Sequence, residues 1–489
     1  MRLKELLSGR CGHRIGTKRA FYRDMMRTSI QGKETNARKV KAMEHFTYKM
    51  GRLYCEDIPA EELVEQYGSP LYVYSKAFLI KRFNAIKKAF SEINTTIAFS
   101  VKSCSNLAVL KTLLDQGAGF DIVSGGELFR AMKVGADPRK IVFAGVGKTD
   151  DEIRAALAND ILMFNVESEA ELDNIQNIAA KIGTVAPVAL RINPDIDAKT
   201  HAKTTTGKKE NKFGIDFATA SRIVRNIAVQ PNIRLLGLDL HLGSPIYTTE
   251  PYTLALEKVT DFIRDHRSPR AQFEYLNVGG GYGLLYRDQT VPTFQEYADA
   301  IIPYAKKAGC KLIIEPGRSI VGNAAVLLTS VLYVKDNGCK HFTIVDAGMN
   351  DLIRPAMYDA YHFCWPVKYD KLPPAHLFNS PDALAYFNRE TLDMETGQHT
   401  REIYQDGLMM TDVVGPICES SDCFAKGRRL PVMMRGDVLA LFSAGAYGFS
   451  MASNYNSRPR AAEVMVDGKE SRVIRARETL ESLIEGESF

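Results

Sequence analysis

Thr96-Ile-Ala-Phe-Ser-Val-Lys-Ser-Cys-Ser-Asn106 is the stretch that decides the fold. From Thr96 to Val101, β-branched and aromatic residues alternate in the manner of a strand. The strand ends on Lys102, and Ser105-Asn106 then open an apolar-periodic run, Leu107 to Leu114, that predicts a helix. A lysine at the C-terminal end of a buried strand is unusual, because an isolated ammonium is costly to desolvate. Two readings are open. Lys102 snorkels to the surface or pairs with a carboxylate, or burial lowers its pKa and makes it a Schiff-base nucleophile for a carbonyl cofactor.

The same unit recurs down the chain. Apolar strands are expected at 96–102, 119–124, 141–146, 162–168, 185–193, 235–242, 275–281 and 311–317, each followed by a loop and a helical pattern. Helices are read, for example, at 168–181, 218–229 and 293–308, and Ser168-Glu-Ala-Glu171 has the form of a capping box. Eight βα units over about 220 residues fit an α/β fold of the (β/α)8 barrel type better than an open doubly wound sheet. After Gly317 the rhythm changes. Strands are expected at 326–335, 341–346, 432–443 and 462–466 with no helices between them, a β-rich second domain. The segment before residue 78 completes it, with strands at 46–54 and 70–74 and a helix at 59–67 stopped by Gly68. The expected division is a basic leader at 1–42, a joining segment at 43–78, a barrel at 79–316 and a C-terminal β domain at 317–489. The last holds a polar, Pro-rich insertion near 367–408.

Composition bounds the class. The 489 residues, 45% apolar and 25% charged, suit a soluble globular protein of two or three domains. Apolar runs such as Val326 to Leu332 fall short of the roughly 20 residues of a membrane helix, so no membrane association is expected. Eight scattered cysteines (11, 55, 104, 310, 339, 364, 418, 423) show no CxxC pairing and read as reduced thiols of a cytoplasmic protein, with no metal site. The net charge of +5 is misleading: residues 1–42 carry 12 Lys and Arg against 3 Asp and Glu, so the other 447 residues sum to −4. That mildly acidic body gives no support for nucleic-acid binding. The leader has no apolar core of a secretory signal. An organellar transit peptide or a disordered arm would fit, but translated upstream sequence ahead of a start at Met43 is favoured. A chain beginning at Met43 is expected to keep the melting temperature and turnover of the full chain, as thermal denaturation and steady-state kinetics would show.

In barrels of this type functional groups gather where the strands end. Those ends carry Lys102; Asp121 and Ser124; Arg191 and Asn193; His241 and Ser244; Gly279-Gly280-Gly281; and Glu315 with Arg318. Six of eight strands ending on polar or glycine-rich sets is more than ordinary loop composition supplies. The glycine triplet follows strand seven, where backbone N–H groups often hold phosphate, although such a turn is commonly only a turn. Glu315 either pairs with Arg318 or holds a pyridinium nitrogen protonated, making the ring an electron sink. His241 is either a satisfied core histidine or a ring that stacks on a flat cofactor.

Phe99-Ser-Val-Lys102, His241-Leu-Gly-Ser244, Gly279-Gly-Gly281, Glu315-Pro-Gly-Arg318, Cys418-Glu-Ser and Gly445-Ala-Tyr-Gly-Phe-Ser-Met-Ala-Ser-Asn-Tyr-Asn-Ser-Arg458 resemble, in order, the fold-type III pyridoxal-phosphate decarboxylases. The match spans about 45 to 470, and within the family the chain is most similar to the branch acting on diaminopimelate. The resemblance implies pyridoxal 5'-phosphate bound through Lys102 with His241 stacked on its ring. It implies phosphate held by Ser244, the 279–281 turn and Tyr447, Glu315 on the pyridine nitrogen, and Asp121 and Arg318 among the cofactor contacts. Arg318, Arg354, Tyr358, Glu419 and Tyr447 would meet substrate, and Cys418 would be the acid that protonates the carbanion. It also implies a homodimer, with Cys418 and Glu419 supplied by the second subunit. Ser103-Cys104 varies from the small or polar residues that usually follow the lysine, with little effect expected. The stretch 367–408 is longer than the family leads one to expect, and could alter the pocket rim or the dimer contact.

The chemistry is coherent without the name. Decarboxylating an amino acid leaves a carbanion, which needs an electron sink, an imine anchor and a proton donor, and a thiol with a pKa near 8.5 can donate at neutral pH. Cys418 as a mere buried apolar residue is the ordinary alternative. Arg318 and Arg354 suit a bidentate grip on a second carboxylate, separating meso-diaminopimelate from ornithine or lysine. The expected reaction is therefore meso-diaminopimelate to L-lysine and CO2. Other readings are a relative acting on ornithine, arginine or a carboxylated polyamine, a non-catalytic regulatory member, and a racemase-like activity. The long Cys418–Arg458 block does not suit the racemase.

Overall fold

The computed structural model describes residues 45–198, 212–287, 290–338, 340–369 and 408–489; the leader and nearly all of the insertion expected near 367–408 lie outside them. The described chain enters through a hairpin of β1 (Phe46–Lys49) and β2 (Arg52–Cys55). One strand was expected over 46–54, but Met50 and Gly51 both take positive φ (48° and 74°), and the chain turns back there. β3 (Ile58–Pro59) completes this three-stranded sheet, and the helix Ala60–Tyr67 stops at Gly68, φ 73°, as expected. β4 (Leu71–Ser75) then leaves for the second domain.

The next eight strands close a parallel barrel: β5 (Thr95–Ser100), β6 (Gly119–Ile122), β7 (Ile141–Phe143), β8 (Met163–Val166), β9 (Ala186–Ile192), β10 (Ile233–Leu240), β11 (Ala271–Asn277) and β12 (Lys311–Ile314). Leu312 to Ile314 of β12 pair with Thr95 to Ile97 of β5 and shut the ring. Ala98, Val142, Met163, Ala189, Leu236 and Ile313 form one buried apolar cluster drawn from six of these strands. With that cluster filling the interior, the polar residues can face only the rim. All eight strands lie where the periodicity puts them, yet each ends one to four residues before its expected end. The ladder stops where the chain must release its polar residues into the mouth. Lys102 accordingly sits in a single 3-10 turn, Val101–Ser103, just past β5.

Helix starts follow the side chains that can cap them. Asn106, Ser124, Thr149, Ser168, Asp216 and Thr293 each accept a backbone N–H of the following turn. Ser168 makes only half of the expected capping box. Glu171 Oε2 accepts the N–H of Glu167 instead, and its other oxygen takes the buried Lys148 ammonium at 2.6 Å.

The second domain is a nine-stranded sheet. It contains β4, β13 (Ala325–Asp336), β14 (His341–Val345), β15 (Cys364–Pro366), β16 (Leu408–Val414), β17 (Cys423–Pro431), β18 (Val438–Leu441), β19 (Ala462–Asp467) and β20 (Glu470–Arg475). β4 lies between β13, antiparallel, and β19, parallel, so a strand that precedes the barrel and one near the C-terminus share one sheet. The strand expected at 432–443 shrinks to β18, because Gly436 (φ 92°) turns the chain ahead of it. β17 escaped the sequence reading because it is an edge strand, and Lys426, Arg428 and Arg429 replace the apolar alternation of a covered one. A short helix, Arg354–Tyr358, also interrupts the expected run of strands, and it carries two candidate site residues. Among the described residues no helix is long and apolar enough to cross a membrane, and the six described cysteines are free thiols.

Candidate active site

A cavity of about 600 Å³ opens at the C-terminal mouth of the barrel, beneath the Gly445–Arg458 loop and the Arg354–Tyr358 helix. Lys102, His241, Ser244, Gly280, Gly281 and Glu315 line it from the barrel side, with Arg191 at one wall. Arg318, Arg354, Tyr358 and Tyr447 line it from above. Lys102 Nζ lies 2.8 Å from Oδ2 of the wholly buried Asp121, whose same oxygen accepts the Ser100 hydroxyl at 2.6 Å. The Lys102 side chain is 34% exposed, but to the depth of the cavity rather than to open solvent. Burial opposes its charge, yet Asp121 and Glu315 outweigh burial and hold the ammonium above the ordinary lysine value. That reverses the expectation that burial lowers the Lys102 pKa.

Glu315, 1% exposed, follows β12 and is held by three groups. Asn277 Nδ2 donates to Oε1 at 2.6 Å, Asn165 Nδ2 to the same oxygen at 3.3 Å, and His241 Nε2 stands 2.6 Å from Oε2. The other ring nitrogen of His241 is 3.2 Å from Asp239. Burial works against a charged ring, but the two carboxylates prevail and push its pKa up to about 10. The same imidazole keeps Glu315 ionised against burial. Neither asparagine nor Asp239 was singled out from sequence. Asp239 and Asn277 stand two residues before His241 and Gly279, on the same face of their strands, and that phase was the available signal; Asn165, on β8, had no such neighbour.

The glycine turn is required by space. A Cβ on Gly280 would meet the Glu315 carbonyl oxygen at 2.2 Å, and one on Gly281 (φ 96°) the Gly243 carbonyl at 2.4 Å. Gly279 (φ 63°) sits behind the cavity wall, its carbonyl accepting the Glu315 N–H at 2.7 Å. Backbone amides thus stand bare beside Ser244, as a phosphate requires. Tyr447, at φ 56°, donates its N–H to the Ser103 carbonyl at 2.8 Å, which ties the C-terminal loop to the lysine turn.

Above the rim, Arg318 donates from Nε to Ser244 Oγ at 3.1 Å and from Nη1 to the Tyr286 hydroxyl at 2.8 Å. Arg354 lies over the Tyr286 ring, 4.9 Å from its centre. Burial would raise the Tyr286 phenol, but the two guanidiniums overcome it and hold the phenol below the usual tyrosine value. Both arginines are buried, and neither forms an ion pair with a carboxylate among the described residues. Tyr286, missed in the sequence, comes five residues after the glycine triplet in Tyr282-Gly-Leu-Leu-Tyr286.

Cys418 and Glu419 do not line this cavity within one chain. Cys418 is exposed, its N–H bonded to Asn456 Oδ1 at 2.9 Å, and Glu419 takes the Ser421 hydroxyl.

Residues 76–322 match the family described as pyridoxal-dependent decarboxylase, pyridoxal binding domain. The chain belongs to the pyridoxal-dependent decarboxylases, enzymes whose cofactor is pyridoxal phosphate. Relatives at 42–44% identity in that family are diaminopimelate decarboxylases. The chain is 44% identical to the one from Neisseria meningitidis serogroup B over 435 residues, 89% of this chain and 97% of that one. Among solved structures, the Helicobacter pylori diaminopimelate decarboxylase complexed with L-lysine superposes with a TM-score of 0.77 at 37% identity, covering 87% of this chain and 98% of that one. The enzyme of M. jannaschii, also with L-lysine, gives 0.80 at 35%, covering 91% and 98%. The site fits the cofactor: an amine for its aldehyde, a buried carboxylate for its pyridine nitrogen, and a turn with room for no Cβ beside Ser244 for its phosphate.

Proposed function

We propose that the chain decarboxylates meso-diaminopimelate to L-lysine and CO2. The observation that carries the substrate is the pair Arg318 and Arg354, buried side by side around Tyr286 without an ion-paired carboxylate among the described residues. Two desolvated guanidiniums attract a carboxylate and repel the ammonium or guanidinium tail of ornithine, lysine or arginine. The test is CO2 release from the purified protein given meso-diaminopimelate, ornithine, lysine or arginine. Comparable rates on any of the last three would overturn the assignment.

In this reading Lys102 Nζ anchors the cofactor, and Asp121 keeps the amine on its side of the cavity. Bound pyridoxal phosphate supplies the electron sink for the pair left behind by CO2. Glu315, kept ionised by His241 and oriented by Asn277 and Asn165, is the acceptor for a proton on the pyridine nitrogen. Ser244, the 280–281 amides and Tyr447 hold the phosphate. Arg318, Arg354 and Tyr358 face the distal end of the substrate, where Glu419 meets its amine. Cys418 Sγ returns a proton to the carbon that lost CO2.

Cys418 and Glu419 would come from a second copy of the chain, since both lie on the surface of one copy. Mixing Lys102→Ala with Cys418→Ala chains is therefore expected to restore up to about a quarter of wild-type activity. Random pairing leaves one intact site in half of the dimers. Activity that stays at baseline after verified subunit exchange would mean that each site is built from one chain.

A further inference from the structure

Arg354 is held by something other than an acid. Its Nη1 lies 2.9 Å from Nε2 of His362, a wholly buried residue between the Arg354–Tyr358 helix and β15. The other ring nitrogen, Nδ1, lies 2.9 Å from the Phe442 carbonyl oxygen just past β18. A carbonyl only accepts, so Nδ1 carries the hydrogen; a guanidinium only donates, so Nε2 offers its lone pair. Both bonds are made at once by the neutral imidazole, in one tautomer. Burial, and then the Arg354 charge, hold the ring well below the ordinary histidine value, at about 3, so it stays in that form. Tyr286 closes the group, edge-on to His362 at 5.9 Å and face-on to Arg354 at 4.9 Å.

The choice of acceptor has a consequence. An aspartate or glutamate would orient the guanidinium equally well but would cancel its charge, and an arriving carboxylate would then meet a neutral pair. A neutral acceptor fixes direction and leaves the charge unspent. We propose that His362 is the positioning residue for Arg354, aiming its guanidinium into the cavity through an uncharged hydrogen bond so that the full positive charge meets the distal carboxylate of the substrate. This rests on the reading of Arg354 as the ligand of that carboxylate.

The test uses the cofactor-loaded enzyme and two competitive inhibitors, L-lysine, which keeps the distal carboxylate, and cadaverine, which lacks it. His362→Leu, which fills the space without an acceptor, is expected to weaken L-lysine inhibition about tenfold or more while cadaverine stays within about threefold. KM for meso-diaminopimelate should rise more than kcat falls. His362→Gln, which returns a neutral acceptor, should recover most of the L-lysine affinity. His362→Glu, which keeps an acceptor but adds a negative charge, should lose it. Equal loss of both inhibitors in His362→Leu, or L-lysine binding of wild-type strength in His362→Glu, would overturn the proposal. Should His362→Leu fail to fold, the Gln and Glu variants decide it. Arg354→Ala in parallel separates the two layers. If it leaves the ratio of the two affinities unchanged, the reading of Arg354 falls and takes this proposal with it. If it collapses the ratio while His362→Leu does not, only the role of His362 falls.

Discussion

Replacing Lys102 with alanine is expected to lower kcat by at least ~10³-fold, because the group removed forms the covalent bond on which the chemistry depends. The loss should not be one of folding. Lys102→Arg, which keeps a cation beside the buried Asp121 carboxylate but offers no amine nucleophile, should unfold near the wild-type temperature and be as inactive as the alanine variant. Borohydride reduction followed by peptide mapping should place the pyridoxyl mass on the Lys102 peptide. The informative competitor is Lys212, the other lysine on the cavity wall among the described residues, which is exposed and lies over the Phe213 ring at 5.3 Å. Mass found on the Lys212 peptide would move the anchor to the opposite wall and undo the assignment of Asp121 and Glu315.

The second large effect is on selectivity. Arg354→Lys keeps the charge and loses the planar fork, and one charge-assisted bidentate contact is worth about 2–4 kcal/mol, so kcat/KM on meso-diaminopimelate should fall roughly 30- to 1000-fold. A lysine ammonium at this depth would also have to choose between His362 and the substrate, whereas the guanidinium can serve both. The cofactor should bind as in wild type, because Arg354 contacts neither the lysine turn nor the glycine turn through a hydrogen bond. The measurement is steady-state kinetics with meso-diaminopimelate beside a cofactor absorption spectrum. Wild-type kinetics in Arg354→Lys would remove the carboxylate clamp and return the cationic substrates to consideration.

The barrel was legible from sequence because its strands are largely apolar and alternate with helical patterns, six of which open on a residue whose side chain caps them. Strand ends were overrun because the residues after the last ladder bond, such as Leu242 and Val278, are as apolar as the strand itself. Nothing in their type marks where pairing stops. In the second domain, buried strands such as β13 were found, while β15, β16, β17 and β20 were not; β16 is an interior strand, and it starts at Leu408, where the insertion was expected to end. β17 and β20 are the edges of the sheet, where charge replaces alternation, and β15 is only three residues long. In the site, residues that carry chemistry at strand ends could be picked out singly. Those that act through them, Asn165, Asn277, Asp239, Tyr286 and His362, are common core or loop types whose meaning lies in a distance that only the fold supplies. The sign of the Lys102 shift was missed for the same reason: burial is visible in a sequence, and a carboxylate 19 residues away is not.

The place of β4 sets an order of assembly. Leu71 to Ser75 pair in parallel with Ala462 to Val466, and between them in sequence lies the whole barrel. A chain emerging from the ribosome can wind all eight barrel strands while β4 still shows an unpaired edge on its β19 side, a surface open to wrong partners until almost the last residues arrive. Contacts of such sequence separation come late and slowly. The Tyr447 bond to Ser103, which fastens the turn that bears Lys102, waits for the same C-terminal segment. The lysine is therefore synthesised early and seated late, and cofactor supplied during refolding would report the final closure rather than the winding of the barrel.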